Sequence, residues 1–221
     1  QQKIQEVFED GTIDIEPLPL RRQYRDYDNS KSLIYEGRCY PYWTTLSSIQ
    51  RKHIKINNQK TVSLDFKSSQ IRWLYLWHLG IKKDPEYDAY DLVMSGHKIN
   101  RDIVKKMNIY LLNVDSERKQ TNYLNYWHEE LDGDGKKKAE WSGEKQAKIF
   151  EQTMKLKGVT PATMRKAYLK QHEAINDYFL NGVKGGQFIC WIESNVVYNI
   201  TKQATLKDIP CLTVHDEFIV Q

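Results

Sequence analysis

The segment "IPCLTVHDEFIVQ", residues 209–221, constrains the fold more than any other. His215, Asp216 and Glu217 stand between two apolar runs of strand composition. A buried strand gains nothing from two acids at its centre, because unpaired buried charge is costly. The segment is therefore expected to be two short strands joined at or near His215-Asp216. Either the acids cap a tight turn facing solvent, or they meet a matching acid from elsewhere in the chain.

A matching acid exists. "NNQKTVSLDF" reads as a turn at Asn57-Asn58 leading into a strand over Thr61 to Phe66, with Asp65 near its end. Strand ends are rigid platforms for side chains that must meet at fixed distance. Two carboxylates brought together repel unless a cation lies between them, and Mg2+ is the usual solution. A pair of such ions activates an attacking hydroxyl and stabilises the leaving oxygens of a phosphate transfer.

Such chemistry also needs cations aimed at the moving charge. "INRDIVKKMNIYLLN" has helical character, with Asn100 as cap, Asp102 in the first turn and no breaker through Leu112. Arg101 and Lys105 are four apart and share a face, which Asn108 and Leu112 are expected to continue. A solvated basic face is the plainer alternative. Before it, Ile71, Leu74, Tyr75 and His78 keep helical spacing up to Gly80.

"EPLPLRRQYRDYDNS" reads as a surface connection. "LDGDGKKKAEWSGEKQ" reads as a polar insertion, and its DGDG lacks the remaining spacing of a calcium loop. Thr160-Pro161 starts a helix expected to run to about Gly182, and Gly185-Gly186 reads as a turn. "QFICWIESNVVYNITKQA" is compatible with strand or helix and places Glu193 among apolar neighbours.

With 40% hydrophobic and 28% charged residues the chain has the composition of a globular protein, which excludes disorder. A formal charge of +4 permits nucleic-acid binding without demanding it. Fourteen Tyr and six Trp suit either base stacking or core packing. Cys39, Cys190 and Cys211 are isolated, which argues against a disulfide scaffold or cysteine-rich zinc site and for an intracellular setting. His53, His78, His97, His128 and His172 are scattered and suggest no metal site. No run approaches membrane-spanning length and no signal peptide opens the sequence, so no membrane partner is expected. Both ends are abrupt, as in a fragment of something longer.

Three motifs in order resemble the family A (Pol I-like) DNA polymerases. "SLDFKSSQIR" is similar to the first palm motif, DYSQIELR, with acid and arginine seven apart as Asp65 and Arg72. "RDIVKK" resembles the start of the fingers-helix motif, and "VHDEFIV" resembles the last palm motif. "EGRCYPYWTTLSSI" resembles more loosely the TGRLSS and PNLQNI segment upstream. The resemblance covers about residues 35 to 221 and implies an α+β fold: a palm with an antiparallel sheet carrying the acids, plus helical fingers. The implied division is an N-terminal segment over 1–60, a palm strand and helix over 61–80, fingers helix and insertion over 81–165, and helix plus palm hairpin over 166–221.

The resemblance implies a template-directed DNA polymerase core adding deoxynucleotides to a primer 3′-hydroxyl with release of pyrophosphate. Asp65 and Asp216 would hold two Mg2+ ions, for which Mn2+ can substitute, with help from the Phe66 carbonyl; Glu217 would be an accessory acid. Arg101 and Lys105 would bind the triphosphate, with Gln70 and Ile109 lining the nucleotide. Arg38, Arg72, His215, Tyr110, Asn113 and Glu193 would face primer or template. Departures are visible: Gln70 replaces the sugar-selecting Glu, Ile109 an aromatic, and Asn113 the Tyr that stacks on the template. The partners implied are primed DNA and dNTPs, with an accessory protein or a thumb segment elsewhere supplying grip. The setting implied is intracellular, in a bacterial host if the gene is carried by a phage or plasmid. Alternatives are a related RNA polymerase, a primase, an untemplated nucleotidyltransferase, a non-catalytic nucleic-acid-binding relic or an unrelated metal nuclease. The related RNA polymerases usually read HDS at the last motif, so Glu217 favours DNA.

Overall fold

The computed structural model describes residues 4–8, 11–15, 21–25, 33–125 and 143–221. The polar insertion around Asp132–Gly135 lies outside them. The chain is α+β, with small antiparallel sheets and seven α-helices among the described residues, arranged in two compact units. One comprises residues 1–77 with 187–221, the other residues 78–186.

In the first unit a hairpin of β1 (Ile4–Phe8) and β2 (Gly11–Ile15) joins β5 (Lys55–Ile56) and β6 (Gln59–Lys60) in a sheet ordered β2-β1-β5-β6. Asn57 and Asn58 form the β5–β6 turn with φ of 50° and 63°, the left-handed pair that Asn tolerates in a tight hairpin. β3 (Arg22–Tyr24) pairs with β4 (Glu36–Cys39). Arg22–Tyr24 is thus a strand, correcting the expected surface connection. Its guanidinium ties the hairpin inward by donating to the carbonyl of Gly37 (2.7 Å), Ser194 Oγ (2.8 Å) and Asn195 Oδ1 (2.9 Å). A Cβ on Gly37 would fall 2.8 Å from both Arg22 Nη2 and Ser194 Oγ, so only glycine admits this approach.

The third sheet of this unit holds the acids. β7 (Val62–Asp65), β10 (Cys211–Val214) and β11 (Glu217–Val220) run antiparallel in the order β10-β11-β7. One face of β10–β11 packs Leu212, Val214 and Ile219 on Trp43, Leu46, Ile54 and Ile56. Trp43 lies in a 3-10 turn, Tyr42–Thr45, and donates its indole N–H to the Thr213 carbonyl at 3.0 Å. A short helix, α1 (Ser48–Arg51), follows with a reciprocal Ser47–Gln50 cap. After β7, buried Ser68 adopts φ 56° and α2 (Ser69–Leu79) begins, burying Ile71, Leu74 and Tyr75 as their spacing predicts.

In the second unit, β8 (Val93–Met94) and β9 (His97–Lys98) form a hairpin before α3 (Arg101–Asn113). Asn100 caps α3 by accepting the Asp102 N–H at 2.9 Å. α4 (Glu117–Asn125), α5 (Gly143–Met154) and α6 (Pro161–Gln171) follow. The expected helix from Pro161 to about Gly182 instead stops at Gln171. There His172, fully buried, turns its ring to the Ala89 carbonyl (3.2 Å), and a 3-10 segment, Glu173–Tyr178, carries Ile175 and Phe179 into the core.

α7 (Gly182–Leu206) contains Gly185 and Gly186, which correct the expected turn. A Cβ on Gly186 would lie 2.1 Å from Asn113 Oδ1 and 3.1 Å from the Leu112 carbonyl. The missing side chain admits close packing on the end of α3. Interior helical glycine is otherwise unfavourable by about 1 kcal/mol.

His172 makes the second unit acid-sensitive. Burial lowers its pKa from the ordinary 6.5 to about 4, with nearby Lys83 adding and the Ala89 hydrogen bond opposing. Between those values the unfolded chain binds the proton and the fold does not, so stability falls as pH drops from about 6.5 towards 4. The expected loss is about 3 kcal/mol. Urea unfolding at pH 7 and pH 4.5 should show it in the native chain and much less in His172→Gln. Equal pH dependence in both would remove His172 as the cause.

Candidate active site

The register of the acid-bearing sheet creates the site. Glu217 on β11 is the direct partner of Asp65 on β7, and Ser63 partners Ile219. Directly opposed residues share a face of the sheet. With strands about 5 Å apart and Cα atoms 3.8 Å apart along the chain, Asp216 and Asp65 have Cα atoms about 6–7 Å apart. The β10–β11 turn consists of His215 and Asp216 alone.

His215 has φ 58°, where a two-residue turn ordinarily has glycine. A non-glycine residue held there costs about 1–3 kcal/mol and often marks a functional position. Burial holds its imidazole below the ordinary value, the Arg38 charge adds to this, Asp216 opposes, Arg51 adds and Glu217 opposes. The ring is therefore neutral at pH 7. It meets the edge of Tyr40, with centroids 5.9 Å apart.

The acids are not equivalent. Glu217 is half-buried, paired with Arg51 Nη2 at 3.0 Å, and accepts a hydrogen bond from Ser63 Oγ. Asp216 is half-buried with no hydrogen bond or ion pair to the described residues. Asp65 is exposed at the end of β7. Glu217 is thus neutralised by arginine, and Asp65 and Asp216 are the other two carboxylates at this end of the sheet. The adjacent Phe66 turns its ring onto Trp73 and Phe218, at centroid distances of 5.1 and 5.9 Å.

Among the described residues no group of three or more His, Cys, Asp or Glu forms a ligand set. The donors here, two carboxylates and a backbone carbonyl, fit Mg2+, which is commonly held by one or two carboxylates with water and substrate phosphates supplying the rest.

Behind the turn, Glu193 is 1% exposed. It forms an ion pair with Arg38 Nη2 through Oε1, and Oε2 accepts from Ser69 Oγ at 3.1 Å. Burial pushes the Glu193 carboxyl above the usual range, Arg38 opposes and Asp216 adds. Burial also acts against the Arg38 charge, but its carboxylate partner prevails and keeps it protonated. Arg38, His215, Cys39, Thr213 and the Ser194–Leu206 side of α7 line a cavity of about 330 Å³. Arg38 Nε and His215 Nδ1 are buried without hydrogen-bond partners. On α2, Gln70 is half-buried, and Arg72 donates from Nε to the Lys67 carbonyl at 2.6 Å.

In the second unit, Arg101, Lys105 and Ile109 form an exposed stripe along α3. Arg101 Nε pairs with Asp88 Oδ2 at 2.6 Å and stacks over the Tyr90 ring at 5.1 Å; the Asp88 hydrogen bond raises its pKa further. Asn108 and Leu112 do not continue the stripe. Both are buried, and Asn108 accepts from the Tyr168 hydroxyl at 3.0 Å. Asn113 donates to the Ile109 carbonyl at 2.7 Å, and Tyr110 packs on Tyr123 with centroids 5.5 Å apart.

The sheet thus gathers Asp65, Phe66, Asp216 and Glu217, while Arg38, Glu193 and His215 gather behind its turn. Arg101, Lys105, Ile109, Tyr110 and Asn113 lie along one helix. Sequence reasoning missed Arg22, Arg51 and Ser69. Only Glu193, an acid in an apolar run, carried a signal of buried pairing. Compared with known proteins, the chain matches no family model, and no curated protein and no solved structure shows significant similarity to it. No helix among the described residues is long and apolar enough to cross a membrane.

Proposed function

We propose that the chain is the core of a template-directed DNA polymerase of the family A type, its acid-bearing sheet the palm and α3 the fingers helix. The observation that carries this is the Glu217–Asp65 register, which brings the His215–Asp216 turn to the end of the strand that bears Asp65. The strained, neutral His215 and the Arg101–Lys105 stripe add support.

Asp65 and Asp216 would hold two Mg2+ ions, with the Phe66 carbonyl assisting. When bound, such ions lower the pKa of a primer hydroxyl and neutralise charge on the phosphate it attacks. Asp65 and Asp216 orient the primer end. Arg101 and Lys105 hold the β- and γ-phosphates, Arg101 exchanging Asp88 for phosphate. Gln70 and Ile109 border the sugar and base, and Arg72, Tyr110 and Asn113 face the template strand. His215, neutral, offers a hydrogen bond to the primer terminus without adding charge. The partners are primed DNA and dNTPs, with grip on the duplex supplied by an accessory protein or a thumb segment.

Primer extension with Mg2+, offering deoxy- and ribonucleotides separately, tests the proposal. Template-dependent deoxynucleotide addition is expected; equal use of ribonucleotides would assign RNA synthesis, and no addition of either would remove the proposal. Lys105→Ala should raise the KM for nucleotide about 10–100-fold, the worth of one charge-assisted hydrogen bond. Its effect on primed-DNA binding should be several-fold smaller.

A further inference from the structure

We infer that the β5–β6 hairpin is a docking surface for the phosphate backbone of double-stranded DNA, with Lys52, Lys55 and Lys60 as its contacts. The inference deepens the polymerase proposal, and it rests on that reading only for which part of the DNA is held.

Residues 51–64, "RKHIKINNQKTVSL", contain four Lys or Arg and no Asp or Glu. This short stretch alone carries a charge equal to the +4 of the whole chain. It folds into the end of α1, the β5–β6 hairpin and most of β7. Arg51 is taken by Glu217. The other three cations are lysines; Lys52 and Lys60 are exposed and Lys55 is half-buried. None of them makes an ion pair with the described residues.

Strand pairing concentrates the charge. Ile54 and Ile56 turn into the core, each 1% exposed, which leaves Lys55 between them on the outer face. Lys55 is the direct partner of Lys60 across the hairpin, so the two share that face, where directly opposed like charges are destabilising. Along the same cross-strand row the next acid is Asp14, two strands from Lys55 with Gln5 between. That separation is about 10 Å, a full screening length at ordinary salt. A polyanion laid across the hairpin would relieve the repulsion. Asn57 and Asn58 at the exposed tip add amide donors, a common partner of phosphate oxygens. The hairpin is also tied to the body of the unit: Thr61 Oγ1 donates to the Ile54 carbonyl and Gln221 Nε2 to the Ile56 carbonyl, both at 2.8 Å.

Residues 51–64 include no Phe, Tyr or Trp, whereas sites for single strands stack bases on aromatic side chains. Cations without stacking partners suit a duplex, which carries one charge per about 1.7 Å of its axis. Lys60 precedes Asp65 by five residues, no more than about 18 Å of extended chain. That span is the rise of about five base pairs. On the polymerase reading the hairpin therefore holds the duplex close to the primer end.

The test compares the native chain with the triple variant Lys52→Gln/Lys55→Gln/Lys60→Gln. A control of equal charge, Lys155→Gln/Lys166→Gln/Lys170→Gln, changes exposed positions of the second unit. Affinities for a short blunt DNA duplex and for one of its strands are measured by fluorescence anisotropy across a salt series, with primer extension alongside. The hairpin variant is expected to lose about 2–3 from the slope of log K against log salt for the duplex, about 0.9 per phosphate contact. Its KM for primed DNA should rise while kcat at saturating DNA is unchanged, and the control should keep the native slope. An unchanged slope in the hairpin variant, an equal loss in the control, or a larger loss with the single strand than with the duplex overturns the inference. So does a native chain that binds no duplex. Duplex binding through the hairpin without any primer extension would remove the polymerase proposal and leave this inference standing. Extension with an unchanged slope would do the reverse.

Discussion

Asp65→Asn and Asp216→Asn should each reduce primer extension by at least about 10³-fold, the several kcal/mol that metal-assisted charge stabilisation supplies. Neither variant should unfold the protein. Asn is nearly isosteric with Asp and keeps a polar side chain at each position. The melting temperature is expected to change little. Mn2+ binding, measured by electron paramagnetic resonance with a bound nucleotide, should weaken with each variant. Glu217→Gln is the internal control: Arg51 and Ser63 already occupy its carboxylate, so its effect on metal binding should be much smaller. A Glu217 variant as damaging as the aspartate variants would mean that the wrong pair has been assigned.

Glu193→Ala has the largest expected effect on stability. It strands the Arg38 guanidinium, four-fifths of whose side chain is out of water, and leaves Ser69 without its acceptor. Removing one partner of a buried pair costs about 3–5 kcal/mol. Glu193→Gln removes the same charge but keeps one acceptor oxygen for Arg38, so it should lose somewhat less than Glu193→Ala. Urea denaturation followed by tryptophan fluorescence distinguishes them, because Trp43, Trp73, Trp77 and Trp191 all lie in the first unit. Indistinguishable midpoints for Glu193→Ala and the native chain would mean that the ion pair contributes nothing.

Much of the local structure was legible in the sequence. The Asn57-Asn58 turn, the strand ending in Asp65, the helix from Ser69 closed by Gly80 and the Asn100-capped helix depend on neighbours within a few residues. Periodicity, capping and left-handed turn residues encode them directly. The two glycines of α7 and the helix ending at Gln171 were misleading for one reason. Gly185-Gly186 is a turn signal only where nothing packs against it; here Asn113 and Leu112 occupy the space a side chain would need. Residues 172–179 continue a good helical pattern, but the core draws in His172, Ile175 and Phe179 with 3-10 geometry.

The sequence by itself determined which carboxylates end strands and which cations share a helical face. Both properties follow from spacing along one strand or one helix. Only the tertiary structure decided that Glu217 opposes Asp65, that Arg51 pairs with Glu217, and that Arg38, Glu193 and Ser69 meet in the interior. Those contacts join residues more than a hundred positions apart. Strand register and buried charge pairing are settled by the packing of the whole unit, and no local pattern carries that information.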